Sequence, residues 1–347
     1  MEEKISSFEA EMLGIEYSVI GGEVYITNYC GDNPEFVVPE YIDDMPVVSL
    51  RAYCCSDNEN LERLVIPFVL DRIEFGAFEN CINLTKLTIK YGVKNIDKDA
   101  FENTGLHITK ENDIVYLEAN DNPYAIVLGK EGSRKDIHID SRARMMVCHA
   151  FEETDIEEMR VAHVEFVGNY AFANCKKLKF FSLSLYTHYL GESALEGCEA
   201  LETAVTHNIT RINKCTFSGC KSLTTVTMND PLLKICVGAF AGCESLESVL
   251  FPHSLNEIAD GAFSGCKKLN MAKYKGDLES VIYFEMKNWK GEVLIKTADE
   301  LYDENYGKLT KYLLDEENSY YITKHRKISD EERRQLKERL LARLRNS

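Results

Sequence analysis

The 347-residue sequence predicts a right-handed repeat solenoid, a superhelix of short parallel strands joined by short helical or 3₁₀ return turns. Three observations predict it. One motif recurs nine times in the same phase, a strand-like apolar alternation follows the motif, and 45% of the residues are hydrophobic, which is enough for a packed core. Because a repeated unit buries its apolar face only against its neighbours, stacked coils are the expected architecture.

The motif is clearest in residues 73–84, which read Ile-x-x-x-Ala-Phe-x-x-Cys-x-x-Leu. Its nine copies start at positions 50, 73, 96, 146, 167, 190, 212, 235 and 258. Neighbouring starts are 21 to 23 residues apart, except for one gap of 50. A period near 22 falls in the roughly 20–29-residue range of leucine-rich repeats, in which one strand and one return turn complete a coil.

After each motif Leu, apolar and polar residues alternate, as in residues 84–89 and 223–228. Successive strand side chains point to opposite faces, so one set enters the core and the other points outward. The motif Phe is expected to fill the space between coils in one stacked column: Phe78, Phe101, Phe151, Phe172, Phe217, Phe240 and Phe263.

The motif cysteines are predicted to be buried and reduced. Side chains at one repeat position point the same way, so they do not face one another as a disulfide requires. Buried free cysteine commonly behaves as a small hydrophobe. The residues concerned are Cys81, Cys175, Cys198, Cys220, Cys243 and Cys266.

This pattern resembles the BspA-like leucine-rich repeats of bacterial and some protist proteins. The resemblance covers about residues 16–270 and rests on the nine copies in phase. It implies the leucine-rich-repeat fold. Because members of that family are often described as surface or secreted proteins that bind host or matrix proteins, it also implies a role in protein–protein interaction.

The ends of the chain depart from the repeat. Residues 1–49 are predicted to form a β-rich N-terminal cap with an incomplete repeat, in which residues 16–20 and 23–28 pair across the turn Gly21-Gly22. Residues 50–276 form the solenoid of about nine coils, with a hairpin insertion near 107–136. Residues 277–347 are predicted to form an α-helical C-terminal cap, with helices at 278–289, at 297–314 and after the capping box that starts at Ser329.

Charge and hydropathy exclude several classes of partner. The chain has 57 acidic and 40 basic side chains, a net charge of −17, so nucleic acid and anionic membranes would repel it. No apolar run is long enough to span a membrane. The start, Met1-Glu2-Glu3-Lys4, lacks the regions of a signal peptide, so a cytoplasmic location is expected, or a secreted or surface location if a longer precursor precedes it.

The sequence contains no recognisable catalytic, cofactor or metal motif. Phosphate-binding loops, nucleophile elbows, dinucleotide fingerprints and Cys-x-x-Cys pairs are absent, and the eight histidines follow no ligand spacing. Cys148 and His149 are neighbours, but adjacent residues of an extended strand point to opposite faces. We therefore predict that the protein is not an enzyme and has no catalytic, cofactor-binding or metal-binding residues.

The outward strand positions are the predicted site. They are expected on the concave face of the solenoid, where they would bind a protein or peptide. These positions are Arg63, Lys86, Thr88, Glu158, Arg160, Phe180, Ser182, Thr203, Val205, Thr225, Thr227, Ser248 and Leu250. Two other readings stay open: an architectural module acting through its C-terminal helices or acidic surface, and an enzyme with a site at the insertion.

Overall fold

The computed structural model describes residues 4–67, 70–90, 93–135, 137–252, 254–255, 257–259 and 261–269, together with three strands at 271–274, 284–288 and 320–324. The chain divides into two compact units, residues 1–156 with 161–173 and residues 157–160 with 174–347. Both are built from the same β-coil. The fold is a leucine-rich-repeat-like β-solenoid of about ten turns with almost no helix.

Seven elements precede the first complete coil. Six of them form the N-terminal cap, and the seventh, β4, pairs with the first long strand of the coils, β7 (Arg63–Ile66). In chain order they are β1 (Lys4–Ile5), α1 (Ser7–Met12), β2 (Ile15–Ile20), β3 (Glu23–Tyr29), β4 (Glu35–Val37), β5 (Tyr41–Ile42) and β6 (Met45–Leu50). The predicted hairpin is present, since β2 and β3 pair across Gly21 and Gly22, whose φ angles are 64° and 86°. β3 also pairs with β6, so the hairpin covers one edge of the first coil.

Helix α1 was missed, although the sequence carries its signal. Ser6 is the N-cap residue, and its backbone N–H donates to the Glu9 carboxylate at 2.7 Å while the Glu9 N–H donates to the Ser6 hydroxyl. This reciprocal pair is a capping box, which Ser followed three residues later by Glu indicates.

Each coil contributes two short strands instead of the single strand predicted. The longer strand follows the motif Leu: β7 (Arg63–Ile66), β9 (Lys86–Ile89), β15 (Glu158–Arg160), β17 (Phe180–Ser182), β19 (Thr203–Thr206), β21 (Thr225–Met228), β23 (Ser248–Phe251) and β25 (Met271–Tyr274). The shorter strand ends on the first motif residue: β8 (Arg72–Ile73), β10 (Asn95–Ile96), β14 (Met145–Met146), β16 (Phe166–Val167), β18 (Tyr189–Leu190), β20 (Arg211–Ile212), β22 (Lys234–Ile235) and β24 (Glu257–Ile258). A two-residue strand is too short to show an alternation in sequence.

The strands of successive coils pair in parallel. The longer strands form β4-β7-β9 in the first unit and β15-β17-β19-β21 in the second. The shorter strands form β6-β8-β10 in the first unit and β20-β22-β24 in the second. Strand residues alternate between exposed or half-buried and buried, as in Arg63–Ile66, so the inward set forms the core.

The return segments are chains of turns, and the prediction of helical or 3₁₀ return turns is wrong. Two residues four apart adopt left-handed φ, for example Gly76 at 60° and Asn80 at 61°. A left-handed residue interrupts a right-handed helix, so alternate N–H groups bond outward, while those of Ala77 and Glu79 bond carbonyls of their own segment. The N–H of Phe78 donates to the Ala100 carbonyl at 2.9 Å, and that of Asn80 donates to the Glu102 carbonyl at 3.0 Å.

This pair of bonds is a third backbone ladder between coils. It recurs in the second unit, where the Phe217 N–H donates to the Ala239 carbonyl at 2.8 Å and the Gly219 N–H to the Ala241 carbonyl at 2.7 Å. In some coils the residue two before the Phe position also donates, as Cys215 does to the Val237 carbonyl at 3.2 Å. In the examples from both units, the residue at the Phe position and the residue two further on are the donors. We call them the return donors.

The predicted phenylalanine column is continuous from Phe217 to Phe263 in the second unit, whereas in the first unit the described rings form two separate stacked pairs. Phe78 stacks on Phe101 with ring centroids 5.3 Å apart, and Phe151 stacks on Phe172 at the same distance. In the second unit Phe240 lies between Phe217 and Phe263, at 5.2 and 5.0 Å. Such offset stacking of large buried rings adds to the stability that burial gives.

The six motif cysteines are buried and free, as predicted. The thiols of Cys81, Cys220, Cys243 and Cys266 donate to carbonyls of the preceding coil, as Cys220 does to the Leu195 carbonyl at 3.2 Å. Burial disfavours the thiolate and raises the pKa of Cys81 from 9.0 to about 11.

The insertion is an antiparallel sheet of three strands, β11 (Ile108–Glu111), β12 (Ile114–Ala119) and β13 (Asn122–Lys130). Its two tight turns, Asn112-Asp113 and Asn120-Asp121, have positive φ at all four residues, as type I′ hairpin turns require. β13 also pairs in parallel with β14, so the insertion is continuous with the ladder of shorter strands.

The C-terminal helical cap is not supported. Within the predicted helix 278–289, strand β26 (Phe284–Asn288) pairs antiparallel with β27 (Tyr320–Lys324). Apolar Phe284 and Met286 alternate with charged Glu285 and Lys287, which is the period of a strand. The predicted helices at 297–314 and after Ser329 lie outside the described residues.

Candidate functional site

The outer face of the sheet β15-β17-β19-β21 carries eight of the predicted site residues in two rows. The register places Glu158, Phe180, Thr203 and Thr225 side by side in the first row, and Arg160, Ser182, Val205 and Thr227 in the second. All eight are exposed or half-buried, while the residue between them on each strand is buried. We call this surface the strand face.

The strand face has one charged and aromatic end. The guanidinium of Arg160 lies over the Phe180 ring, 4.3 Å from its centroid, and also lies 3.6 Å from the Glu158 carboxylate. The Arg160 side chain is 68% exposed, so the ion pair is solvated and contributes little to stability. The cation–π contact leaves the exposed guanidinium accessible to a partner.

The other half of the strand face is small and polar. Thr203, Thr225, Ser182 and Thr227 present hydroxyl groups, and Val205 adds one apolar side chain. Three strand spacings of about 4.8 Å make the four-stranded sheet roughly 14 Å wide. A surface of this width accommodates an extended peptide or a loop.

The sheet β4-β7-β9 of the first unit carries the remaining described site residues. Arg63 and Lys86 are neighbours in one row and are exposed, and Thr88 is half-buried in the next. The Glu35 carboxylate lies 3.6 Å from the Arg63 guanidinium. The backbones of Ser248 and Leu250 belong to β23, but their side chains lie outside the described residues.

The tip of the insertion closes the edge of β9, which the sequence did not predict. The side chain of Asn120 accepts from the Ile89 N–H at 2.9 Å and donates to the Ile89 carbonyl at 2.8 Å, and its own N–H donates to the Leu87 carbonyl. The insertion therefore terminates the first strand sheet. The side-chain amide of Asn120 thus supplies both an acceptor and a donor to one backbone residue.

Cys148 and His149 are the sequence neighbours that could form a nucleophile and base pair, but their side chains contact different residues. The Cys148 thiol is buried against the Asn95 side-chain carbonyl at 3.8 Å, whereas the His149 ring stacks on Tyr170 at 4.9 Å and bonds the Glu152 carboxylate at 2.6 Å. Burial raises the pKa of the Cys148 thiol to about 12, which suppresses the nucleophilic thiolate. Among the residues that the structure describes, no three His, Cys, Asp or Glu side chains are grouped as a metal site would need.

Comparison with known proteins identifies the family. The BspA type leucine rich repeat region matches residues 48–120 and 136–281, in six copies. The chain belongs to the BspA-type leucine-rich-repeat family. The unmatched stretch between the two ranges falls within the antiparallel insertion. No curated protein matches the sequence of this BspA-type chain.

Several solved structures of bacterial repeat proteins resemble this BspA-type chain. A leucine-rich repeat protein from Eubacterium ventriosum is 16% identical, with a TM-score of 0.40, over 73% of this chain and 92% of that one. A leucine rich cell surface protein from Faecalibacterium prausnitzii is 18% identical, with a TM-score of 0.28, over 77% and 94%. The Treponema pallidum (T. pallidum) leucine rich repeat protein is 19% identical, with a TM-score of 0.26, over 67% and 88%.

In the described part of the chain, no helix has the length and apolar character of a membrane span.

Proposed function

We propose that this protein is a non-catalytic binding module that holds a protein or peptide on the strand face. Leucine-rich-repeat proteins are generally protein-binding modules and are typically non-enzymatic. The observation that carries the proposal for this chain is the exposed Arg160 guanidinium stacked on Phe180. Arginine and aromatic side chains contribute a disproportionate share of binding energy at protein interfaces.

The chemistry of the strand face favours a particular kind of partner segment. An apolar partner side chain can cover Phe180, and a carboxylate or backbone carbonyl of the partner can accept from the free edge of Arg160. The hydroxyl group of Thr203, the neighbour of Phe180 in the first row, then bonds the partner backbone. The partner is therefore a protein loop or extended peptide with an acidic residue close to an apolar one.

Replacing both anchors tests the proposal. Partners are captured on the immobilised protein, and the dissociation constant of each is measured with wild type and with Phe180→Ala combined with Arg160→Ala. We expect affinity to fall by about 2 kcal/mol or more, on the order of thirtyfold. The melting temperature should hardly change, because both side chains lie on the outer surface of the sheet.

Thr225→Ala is the matched control, because Thr225 lies in the same row at the opposite edge of the sheet. It should change the dissociation constant by less than about threefold, as expected for a residue outside the central contacts. Equal affinity of wild type and the double variant would refute binding on the strand face. Unfolding of the double variant would show that Phe180 belongs to the core.

A further inference from the structure

The ladder of return donors stops at one coil. Phe101 and Asn103 occupy the donor positions that Phe78 and Asn80 occupy in the preceding coil, and Asn103 has the same left-handed backbone, at φ 53°. Among the described residues, no carbonyl accepts a hydrogen bond from the N–H of Phe101 or of Asn103. Two return donors are therefore left without the coil to which such groups donate elsewhere.

The insertion explains the interruption. Ala150 holds the position in the next repeat whose carbonyl should accept from Phe101. The Ala150 carbonyl oxygen instead packs against Gly129 of β13. The approach is so close that a Cβ atom at position 129 would lie only 2.5 Å from this oxygen. The ring of Phe101 stacks on Phe78 on one side and is 9% exposed, whereas Phe78 is fully buried.

A ladder of side-chain amides ends at the same place. The Asn80 amide donates to the Asp57 carboxylate at 2.8 Å, and the Asn103 amide donates to the Asn80 side-chain carbonyl at 2.8 Å. No described group donates to the Oδ1 atom of Asn103. The coil thus presents two backbone donors and one side-chain acceptor in the arrangement that a following coil would satisfy.

These groups border a groove between the return segment and the insertion, with a volume of about 310 Å³. Its apolar lining includes Phe101, Leu106, Val115 and Leu117, and Ile108 lies at its edge with 41% of its surface exposed. Ligand sites range from roughly 300 to 1,000 Å³, so this groove holds one apolar side chain and a short length of backbone. We call it the hairpin groove.

We propose that the hairpin groove binds a short peptide segment that takes the place of the missing coil. The segment has the form Ala-Phe-x-Asn. Its first and third carbonyls accept from Phe101 and Asn103, its apolar side chain enters the groove, and its Asn amide donates to the Asn103 Oδ1 atom. A simple anion or an apolar ligand cannot supply two carbonyls at this spacing together with an amide donor. The hairpin groove is formed by residues 98–106 and the insertion, whereas the strand face is formed by β15, β17, β19 and β21.

The probe is a capped peptide with the sequence of residues 75–80, Phe-Gly-Ala-Phe-Glu-Asn, which makes these contacts within the chain itself. Binding is measured by calorimetric titration, and backbone amide exchange of residues 98–106 is measured by mass spectrometry with and without the peptide. We expect saturable binding and slower exchange in that segment, because the Phe101 and Asn103 amides become hydrogen-bonded.

Asn103→Gly removes the side-chain acceptor and keeps a residue that tolerates positive φ. It should weaken peptide binding by about three- to tenfold, which corresponds to one hydrogen bond. Asn174→Gly is the matched control, since Asn174 has a φ of 58° in the second unit and does not border the groove. A peptide with Ala in place of its Asn should bind wild type and Asn103→Gly equally well.

Ile108→Glu places a charge at the edge of the groove and should abolish binding without lowering the melting temperature. The proposal is overturned if millimolar peptide neither binds nor slows exchange in residues 98–106 of the folded protein. It is also overturned if Asn103→Gly and Asn174→Gly bind the peptide alike, or if acetate protects these amides as well as the peptide does.

Discussion

Two neighbouring coils of the first unit carry the same return segment in different surroundings. Phe78 and Asn80 donate to the following coil and are covered by it, whereas Phe101 and Asn103 border the hairpin groove. Asn103 keeps the left-handed φ of Asn80, but Asp99 does not share the left-handed φ of Gly76. The return segment thus keeps only part of its conformation where no following coil accepts its hydrogen bonds, and the following coil also determines its burial. A single insertion turns an interior surface of the solenoid into an accessible one.

The largest expected contrast is in the phenylalanine column. Phe217 is fully buried and stacks on Phe240, so Phe217→Ala should lower the free energy of unfolding by about 3–5 kcal/mol through lost burial and a cavity. Phe101→Ala should cost about 1–2 kcal/mol less, because its cavity opens into the groove and can admit water. Urea denaturation of both variants measures the difference.

Equal losses at Phe101 and Phe217 would show that the groove is closed in solution. A loss below about 1 kcal/mol at Phe217 would mean that this ring is exposed and that the repeat phase is wrong.

A smaller contrast is expected in the amide ladder. The Asn80 side chain has a partner on each side, Asp57 and Asn103, whereas Asn80 is the only described partner of the Asn103 side chain. Asn80→Gly should therefore destabilise the protein by about 1–3 kcal/mol and Asn103→Gly by about 0.5–1.5 kcal/mol. Glycine suits positive φ, so the thermal midpoints of the two variants report the side-chain bonds and not backbone strain. A larger destabilisation by Asn103→Gly than by Asn80→Gly would contradict the assignment of Asn80 as the interior member of the ladder.

The smallest expected effect near neutral pH is on the reactivity of the cysteine thiols. Cys30 is exposed and should react rapidly with a thiol reagent, whereas Cys81 and Cys220 should react only on unfolding. Reducing agent should leave the melting temperature unchanged, because the cysteines are free. Rapid labelling of Cys81 in the native state would contradict the buried ladder.

The same thiols predict a loss of stability in alkali. The folded-state pKa of Cys81 is raised from 9.0 to about 11, and that of Cys148 to about 12. Folding therefore favours the protonated thiol, and this contribution is complete below pH 9 and is lost as the pH rises through 11 to 12. The melting temperature should fall across that window, and cysteine-to-alanine variants should fall less steeply.

The strand positions show how much the pattern alone predicts. The alternation after each motif Leu assigns the inward residues Met159, Phe181 and Ala204 and the outward residues between them, because neighbouring strand side chains take opposite faces. It could not place Arg160 over Phe180. That contact depends on a side-chain rotamer and on the pairing of β15 with β17, which residues 22 positions apart do not encode locally.

The return segments show where local reasoning fails. Ala-Phe-x-x-Cys suggested a helical turn, since nothing in the motif itself requires left-handed φ at positions such as His149, Tyr170 or Cys215. These conformations cost about 1–2 kcal/mol each for an ordinary residue. They persist because the neighbouring coil supplies carbonyls for the N–H groups that the helix would otherwise have used.

By itself, the sequence determined the period, the solenoid class, the buried columns of Phe and Cys and the family, because a repeated apolar pattern admits few ways of burying its face. Only the tertiary structure decided the second strand of each coil, the ladder of return donors and the position of the insertion against Ala150 and β9. These features depend on which backbone groups meet across coils. Hydrogen bonds between residues 20 or more positions apart leave no periodic pattern in the types of residue that make them.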